Sequence, residues 1–254
     1  MPSATPAAAG PVLETRRLTL AYGDHRVLNA LDLVVAPDEF LAVLALGGAG
    51  KSVLFRALIG LEQPTSGQVF WFGNDVTQLS ERQKHRLRRL IGAVHQDGAL
   101  FADLTVEENI RLPLAELTDH DAEQIDNTVR FTLQVAGLSD YRRTYPAALP
   151  AVMVRKAALA RALALGPRLL VCDDVFAGLD PKAQRQINDY LRALHLLRSM
   201  ATVILTHNVT LALDLADRIA ILAEGRITAS GSPAEIRRSR MPEVIDLLGE
   251  PCAA

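Results

Sequence analysis

Three apolar runs near the start of the chain are separated by turn residues: RLTLAY (17–22), ALDLVV (30–35) and FLAVLA (40–45). Such short runs between turns read as strands. The third is apolar at every position, as expected of a strand covered on both faces of a parallel sheet. After the glycines that follow, KSVLFRALIG (51–60) carries apolar residues at helical spacing and stops at Gly60. PTSG (64–67) reads as a turn, QVFWFG (68–73) as a strand, RQKHRLRRL (82–90) as a basic helix and IGAVHQ (91–96) as another strand. From about 103 to 165 the period is helical almost throughout, in LTVEENIRLPL, DAEQIDNTVRFTLQVAGL and AVMVRKAALARALAL. Alternation then returns with RLLVCD (168–173), a helix from Pro181, ATVILTH (201–207), a helix to Ala216, RIAILAEG (218–225) and RITASG (226–231). The pattern predicts an α/β core interrupted by a helical block, with no repeat at a fixed period.

Composition narrows the setting. The 254 residues are 49% hydrophobic, ample for a core, and the net charge of −2 gives no electrostatic footprint for nucleic acid. The basic cluster at 82–90 is expected to be the solvated face of one helix. Two cysteines, Cys172 and Cys252, form no disulfide framework and fit a reducing compartment. No apolar run reaches the roughly 18 residues of a membrane span. The opening MPSATPAAAGP has no basic segment followed by an apolar one, so residues 1–11 are expected to be a disordered tail and the protein cytoplasmic.

The chemistry gathers at the end of the third run. ALGGAGKS (45–52) is the phosphate-binding pattern G-x-x-x-x-G-K-[ST] with alanine at its first position. A buried strand, a glycine-rich turn and a helix N-terminus present several backbone N–H groups and the positive end of a helix dipole to one anion. The cradle would run from Gly47 through Gly48, Ala49, Gly50 and Lys51 to Ser52 and Val53. Lys51 would reach the β- and γ-phosphates, and the Ser52 hydroxyl would hold Mg²⁺. Ala45 is harmless if its φ is negative and costs about 1 kcal/mol if it is positive. A second hydrophobic run, RLLVCDD (168–174), ends in an acid placed to complete the Mg²⁺ shell, Asp173.

With these stretches in order, the chain resembles the ATP-binding subunit of an ABC transporter from about residue 12 to 249. The landmarks are Tyr22, where an aromatic stacks on adenine; the phosphate loop; Gln96 of the glutamine loop; the signature region at 149–153; Asp173; GLD at 178–180; and His207. Singly, Tyr22 reads equally as a strand aromatic, Gln96 as a strand end and His207 as a helix cap. HQDGALFADLTVEENIRLPL and MVRKAALARALALGPRLL further resemble the ATPases of Mla/Mce-type lipid transporters. The resemblance implies a P-loop ATPase core over 12–254 with an inserted helical subdomain at about 97–165. It implies ATP and Mg²⁺ as ligands, the metal at Ser52, Gln96 and Asp173, and Gln96, Asp174 and His207 around the reacting phosphate. It also implies a dimer of such domains, an integral membrane permease, accessory transporter subunits, and a peripheral place on the cytoplasmic face of the inner membrane. Leu100 and Phe101 are expected in the groove that receives the permease.

Two departures bear on turnover. Where the family has a water-orienting glutamate after the magnesium aspartate, this chain has Asp174, one methylene shorter, followed by Val175 in place of proline. The signature pattern L-S-G-G-[QM] becomes LPAVM, Leu149 to Met153, which removes a hydroxyl and an N–H at Pro150 and sets a branched side chain at Val152. Proline remains well placed to start a helix there. The expectation is that ATP binding is kept and hydrolysis is slow. The alternative is a non-hydrolysing scaffold or regulatory subunit of the same assembly. A soluble relative acting in DNA repair or cluster assembly is disfavoured, since nothing in the chain reads as a coiled-coil insertion.

Overall fold

The computed structural model describes residues 10–45, 47–197 and 199–248, so most of the expected N-terminal tail and the last six residues lie outside the described residues. Apolar residues at alternate positions build β1 (Leu13–Tyr22) and β2 (His25–Val35), an antiparallel hairpin turned at Gly23. β3 (Phe40–Ala45) is buried at every residue, and its glycine-rich exit leads into α1 (Lys51–Leu58). β4 (Ser66–Trp71) and the two-residue β5 (Asn74–Asp75) complete a four-stranded antiparallel sheet in the order β2-β1-β4-β5. α2 (Glu81–Arg88), closed by a Ser80/Gln83 capping box, leads to β6 (Ile91–Val94).

Next comes the helical block: α3 (Val106–Leu117), α4 (Ala122–Ala136) and α5 (Ala151–Leu163). Thr105 with Glu108 and Asp121 with Gln124 form capping boxes on the first two helices, and Gly137, left-handed at φ 65°, ends α4. The Asn109 side chain, fully buried, accepts from the Phe101 N–H and donates to the carbonyls of Phe101, Leu104 and Thr105. It thereby clamps the loop before α3 onto that helix. β7 (Leu169–Asp173), α6 (Pro181–Leu197), β8 (Ala201–Thr206), α7 (Val209–Leu215), β9 (Arg218–Ala223), β10 (Arg226–Gly231), α8 (Pro233–Arg238) and α9 (Pro242–Leu248) follow.

The second sheet runs β10-β9-β3-β8-β7-β6, parallel except for the edge strand β10. Its pleat explains why β3 is apolar throughout. Phe40, Ala42 and Leu44 join the core that continues into the helical block, while Leu41, Val43 and Ala45 join the core shared with α1 and the antiparallel sheet. In that second core Trp71 is fully buried, and its indole N–H donates to the Leu58 carbonyl at 2.7 Å. Gly60, at φ 69°, has no room for a side chain there, since a Cβ would stand 2.7 Å from the Trp71 ring.

Two expectations need correcting. The basic helix is not uniformly solvated: Lys84 is buried and paired to Glu81 at 2.9 Å, and Arg88 donates to the Gly60 carbonyl. Pairing within the helix allows a lysine to lie inward. The strand expected over 91–96 ends at Val94, so Gln96 lies in the turn that precedes Gly98.

Candidate functional site

The exit of β3 is shaped for close approach. Gly50, at the N-cap of α1, has φ 94°, and a Cβ there would stand 3.0 Å from Val27 Cγ1 and 3.4 Å from the Val27 carbonyl oxygen. Only glycine satisfies both the backbone and the space. Gly48 is also left-handed at φ 80° but faces open space. Ala45 stays extended in β3, opposite Leu222, so alanine carries no left-handed strain there. Lys51 Nζ donates to the Ala45 carbonyl at 3.5 Å, which folds the lysine back over the turn. The first turn of α1 holds no acidic residue, leaving its dipole uncompensated.

Opposite α1, Asp173 closes β7 with its side chain buried. Burial pushes its carboxyl above the ordinary range, aided by the neighbouring Asp174 and opposed by the Ser52 hydroxyl beside it and by His95 and Lys51. Its Oδ2 is buried without a hydrogen-bond partner. A buried, unpaired carboxylate oxygen next to a hydroxyl is a donor set for a hard cation, and Mg²⁺ is held by one or two carboxylates together with phosphate oxygens. The residues present therefore fit that ion: Asp173 and Ser52, with Gln96 across the cleft, would hold it. Among the described residues no cluster of three or more His, Cys, Asp or Glu would cage a metal by itself. Bound there, the ion would supply charge neutralisation to phosphate oxygens.

The next residue behaves differently. Asp174 adopts φ 43°, its N–H donates to Leu205 O at 2.8 Å, and Thr206 Oγ1 donates to its Oδ1 at 3.1 Å. Its Oδ2 lies 2.6 Å from His207 Nδ1. Both carboxylate oxygens are thus engaged by β8 and the residue after it, and the side chain is almost fully buried. His207 itself remains half exposed.

These parts line a cleft of about 450 Å³ bounded by Gly48, Gly50, Lys51, Ser52, Val53, Gln96, Asp173 and Asp174, with His25 and Val27 from the start of β2. Tyr22 stands outside the lining, on the same hairpin; it is half exposed, and its hydroxyl is bonded to Glu62 and to Arg56 Nη2. Gly47 and Ala49 also lie outside it, and His207 reaches it only through Asp174. Sequence reasoning missed His25 and Val27. Their signal was the hairpin itself, whose return strand must pass the glycine turn if Tyr22 is near it.

At the start of α5, Pro150 takes φ −58° and ψ 146° and contributes no side-chain cap. Its carbonyl accepts from Met153 N at 2.8 Å and Val154 N at 3.1 Å. Val152 and Met153 turn inward, half-buried against the helical core. Beside α5 lies a groove of about 390 Å³ between β6, α3 and α5, lined by Phe101, Leu112, Pro113, Leu117 and Leu165 with Arg88, Arg161 and Glu116 at its edges. Phe101 is half exposed there, whereas Leu100 packs inward on the core.

A family model described as ABC transporter matches residues 28–177, which include the cleft's phosphate turn, Gln96 and both aspartates. The chain belongs to the ABC transporter family. As an ABC domain it is 40% identical over 215 residues to the sulfate/thiosulfate import ATP-binding protein CysA of Mycolicibacterium paratuberculosis, covering 85% of this chain and 58% of that protein. It is 35% identical to the methionine import ATP-binding protein MetN of Mesorhizobium japonicum, over 90% of this chain and 62% of that one. It is 30% identical to the intermembrane phospholipid transport ATP-binding protein MlaF of Haemophilus influenzae, over 93% and 90% respectively. The chain thus spans about three fifths of the length of the CysA and MetN relatives. The dimeric structure of the ATP-binding cassette MJ0796 bound to ADP and Pi superimposes with a TM-score of 0.80 at 26% identity, over 87% of this chain and 98% of that one.

Proposed function

We propose that this ABC domain is the ATP-binding subunit of a membrane transporter, and that it binds Mg-ATP well and hydrolyses it slowly. The observation that carries the binding half is the meeting of the α1 N-terminus, Lys51 and Ser52 with the buried, unpaired oxygen of Asp173. Slow turnover is supported by Asp174, whose two oxygens are already bonded to Thr206 and His207, and by a proline at the start of α5. A water-orienting carboxylate must reach the water, and one held back toward β8 by these bonds and shortened by a methylene is displaced; about 1 Å of displacement costs roughly 10²-fold in rate.

Among the described residues no helix is long and apolar enough to cross a membrane, and the transport reading pairs this domain with a membrane permease. The groove at Phe101 and α3 is the site we assign to it, since exposed apolar surface of this kind marks an interface. Two such domains would pair, as the MJ0796 cassette is dimeric in its structure; the pair would sit at the cytoplasmic face of the membrane, with accessory subunits beside the permease. The cargo reading remains lipid, supported by the MlaF likeness and by the stretches quoted above, while the CysA and MetN likenesses favour import of a small anion or amino acid. The competing reading, a non-hydrolysing scaffold, is favoured by the same Asp174, tied at both oxygens to Thr206 and His207.

Titration calorimetry with Mg-ATP tests the first claim. The natural chain is expected to bind, and Lys51→Ala to weaken binding at least about tenfold, as loss of a charge-assisted phosphate contact does. Equal affinity of the two chains would overturn the site. Measured turnover separates the readings: slow but real hydrolysis supports the motor, and tight binding with none supports the scaffold.

A further inference from the structure

Arg155, in the second turn of α5, has no part in the roles assigned above. It is half-buried, and its Nη2 makes one long hydrogen bond, 3.5 Å, to the carbonyl of Ala177, three residues past Asp174. Its Nε is buried without a partner. On its other side the guanidinium packs on the glutamine loop: Arg155 Nη1 lies 3.6 Å from the place a Cβ on Gly98 would take. The carboxylates whose charges it feels are Asp97 and Asp174, one in each loop. Further along the same helix, Arg161 Nη2 donates to the Gly98 carbonyl at 3.3 Å while its guanidinium lies over the Phe101 ring at 5.6 Å. Gly98, at φ 79° and with Val154 Cγ1 3.3 Å from a Cβ built there, is therefore held between two arginines of one helix. One of them opens on the groove and the other on the loop that carries Asp174.

A half-buried guanidinium with one long bond and an unpaired donor is costly where an aliphatic side chain would pack. What arginine offers in exchange is a rigid planar fork that bonds the Ala177 carbonyl with one nitrogen and packs beside Gly98 with another. We propose that Arg155 is a positioning residue whose guanidinium, between the Gly98 backbone and the Ala177 carbonyl, makes the placement of Asp174 depend on the seating of the glutamine loop. The inference rests on the reading of the cleft as the nucleotide site. It predicts that the two loops lose their coupling, and not their nucleotide, when the fork is removed.

The test uses the full chain with Arg155→Ala and Arg155→Lys, each made in the natural sequence and with Asp174→Glu. Mg-ATP affinity is measured by calorimetry, kcat and KM by phosphate release, and hydrogen exchange across the chain by mass spectrometry. Arg155→Ala is expected to leave affinity and KM within about twofold and to lower kcat at least about tenfold, as misplacement of a positioned group does. Arg155→Lys keeps the charge and loses the fork, so it should recover less than half of that loss. Exchange of amides in 96–98 and 174–180 should rise together by about tenfold while α5 and the parallel sheet keep their protection. That last readout holds even where turnover is too slow to follow. Unchanged kcat together with unchanged exchange in both loops overturns the proposal. So does a uniform rise in exchange across α5 with a lowered melting temperature, which marks a merely structural side chain. Failure of the natural chain to bind Mg-ATP overturns instead the nucleotide reading beneath it.

Discussion

Glycine at position 50 is the residue on which the phosphate turn depends. Gly48 and Gly50 share a left-handed backbone, yet only Gly50 lacks room for a side chain, with Val27 3.0 Å away. A Gly48→Ala chain should lose about 1–2 kcal/mol from backbone strain alone. Gly50→Ala should lose more, because the β1–β2 hairpin must also give way, and should weaken Mg-ATP binding where Gly48→Ala leaves most of it. Urea denaturation and calorimetry on the two variants check this order. The need for these glycines was legible in the sequence, and so were Lys51, Ser52 and Asp173, because a motif at the junction of strand and helix fixes their relative placement. The double tie on Asp174 was not legible. It depends on Thr206 and His207, more than thirty residues away, arriving from the neighbouring strand β8.

At the scale of elements, the hydrophobic period gave the order of strands and helices correctly, because each is set by local alternation and by caps. The helical block was readable from its period, while the capping boxes at Thr105 and Asp121 that start two of its helices emerge from the structure. The inward lysine of α2 was not, since Lys84 is permitted inside only by Glu81 one turn earlier. Nor was the short end of β6, which is set by the turn toward Gly98 and the clamp from Arg161. The beginning of α5 carries the element-scale prediction. Asp174→Glu combined with Pro150→Ser, Ala151→Gly and Val152→Gly returns both departed groups to the family pattern. The family resemblance implies that each site of a dimer draws on both, so either repair alone should recover little, and the combination should raise turnover by at least about 10²-fold. Val152 is half-buried against the helical core, so its replacement by glycine removes packing as well as adding about 1 kcal/mol of helix cost. A folded, dimerising variant is therefore the required control, and a folded one that turns over no faster would mean that these groups do not limit the rate.

The whole molecule is two cores back to back across one parallel sheet, and its only tryptophan lies deep in one of them. Trp71 sits at the far end of α1 from the phosphate turn, bonded to Leu58 and pressed on Gly60. The chain is thus born with a single optical reporter, and that reporter hears only half of the protein. Its emission should be blue, insensitive to iodide, and quiet while the helical block opens or melts. It should shift to the red only when α1 and the antiparallel sheet part. Circular dichroism, which weighs helices everywhere, would then fall before fluorescence in any condition that loosens the helical block first. Coincident curves would mean that the two cores unfold as one, the sheet between them passing disorder from one face to the other.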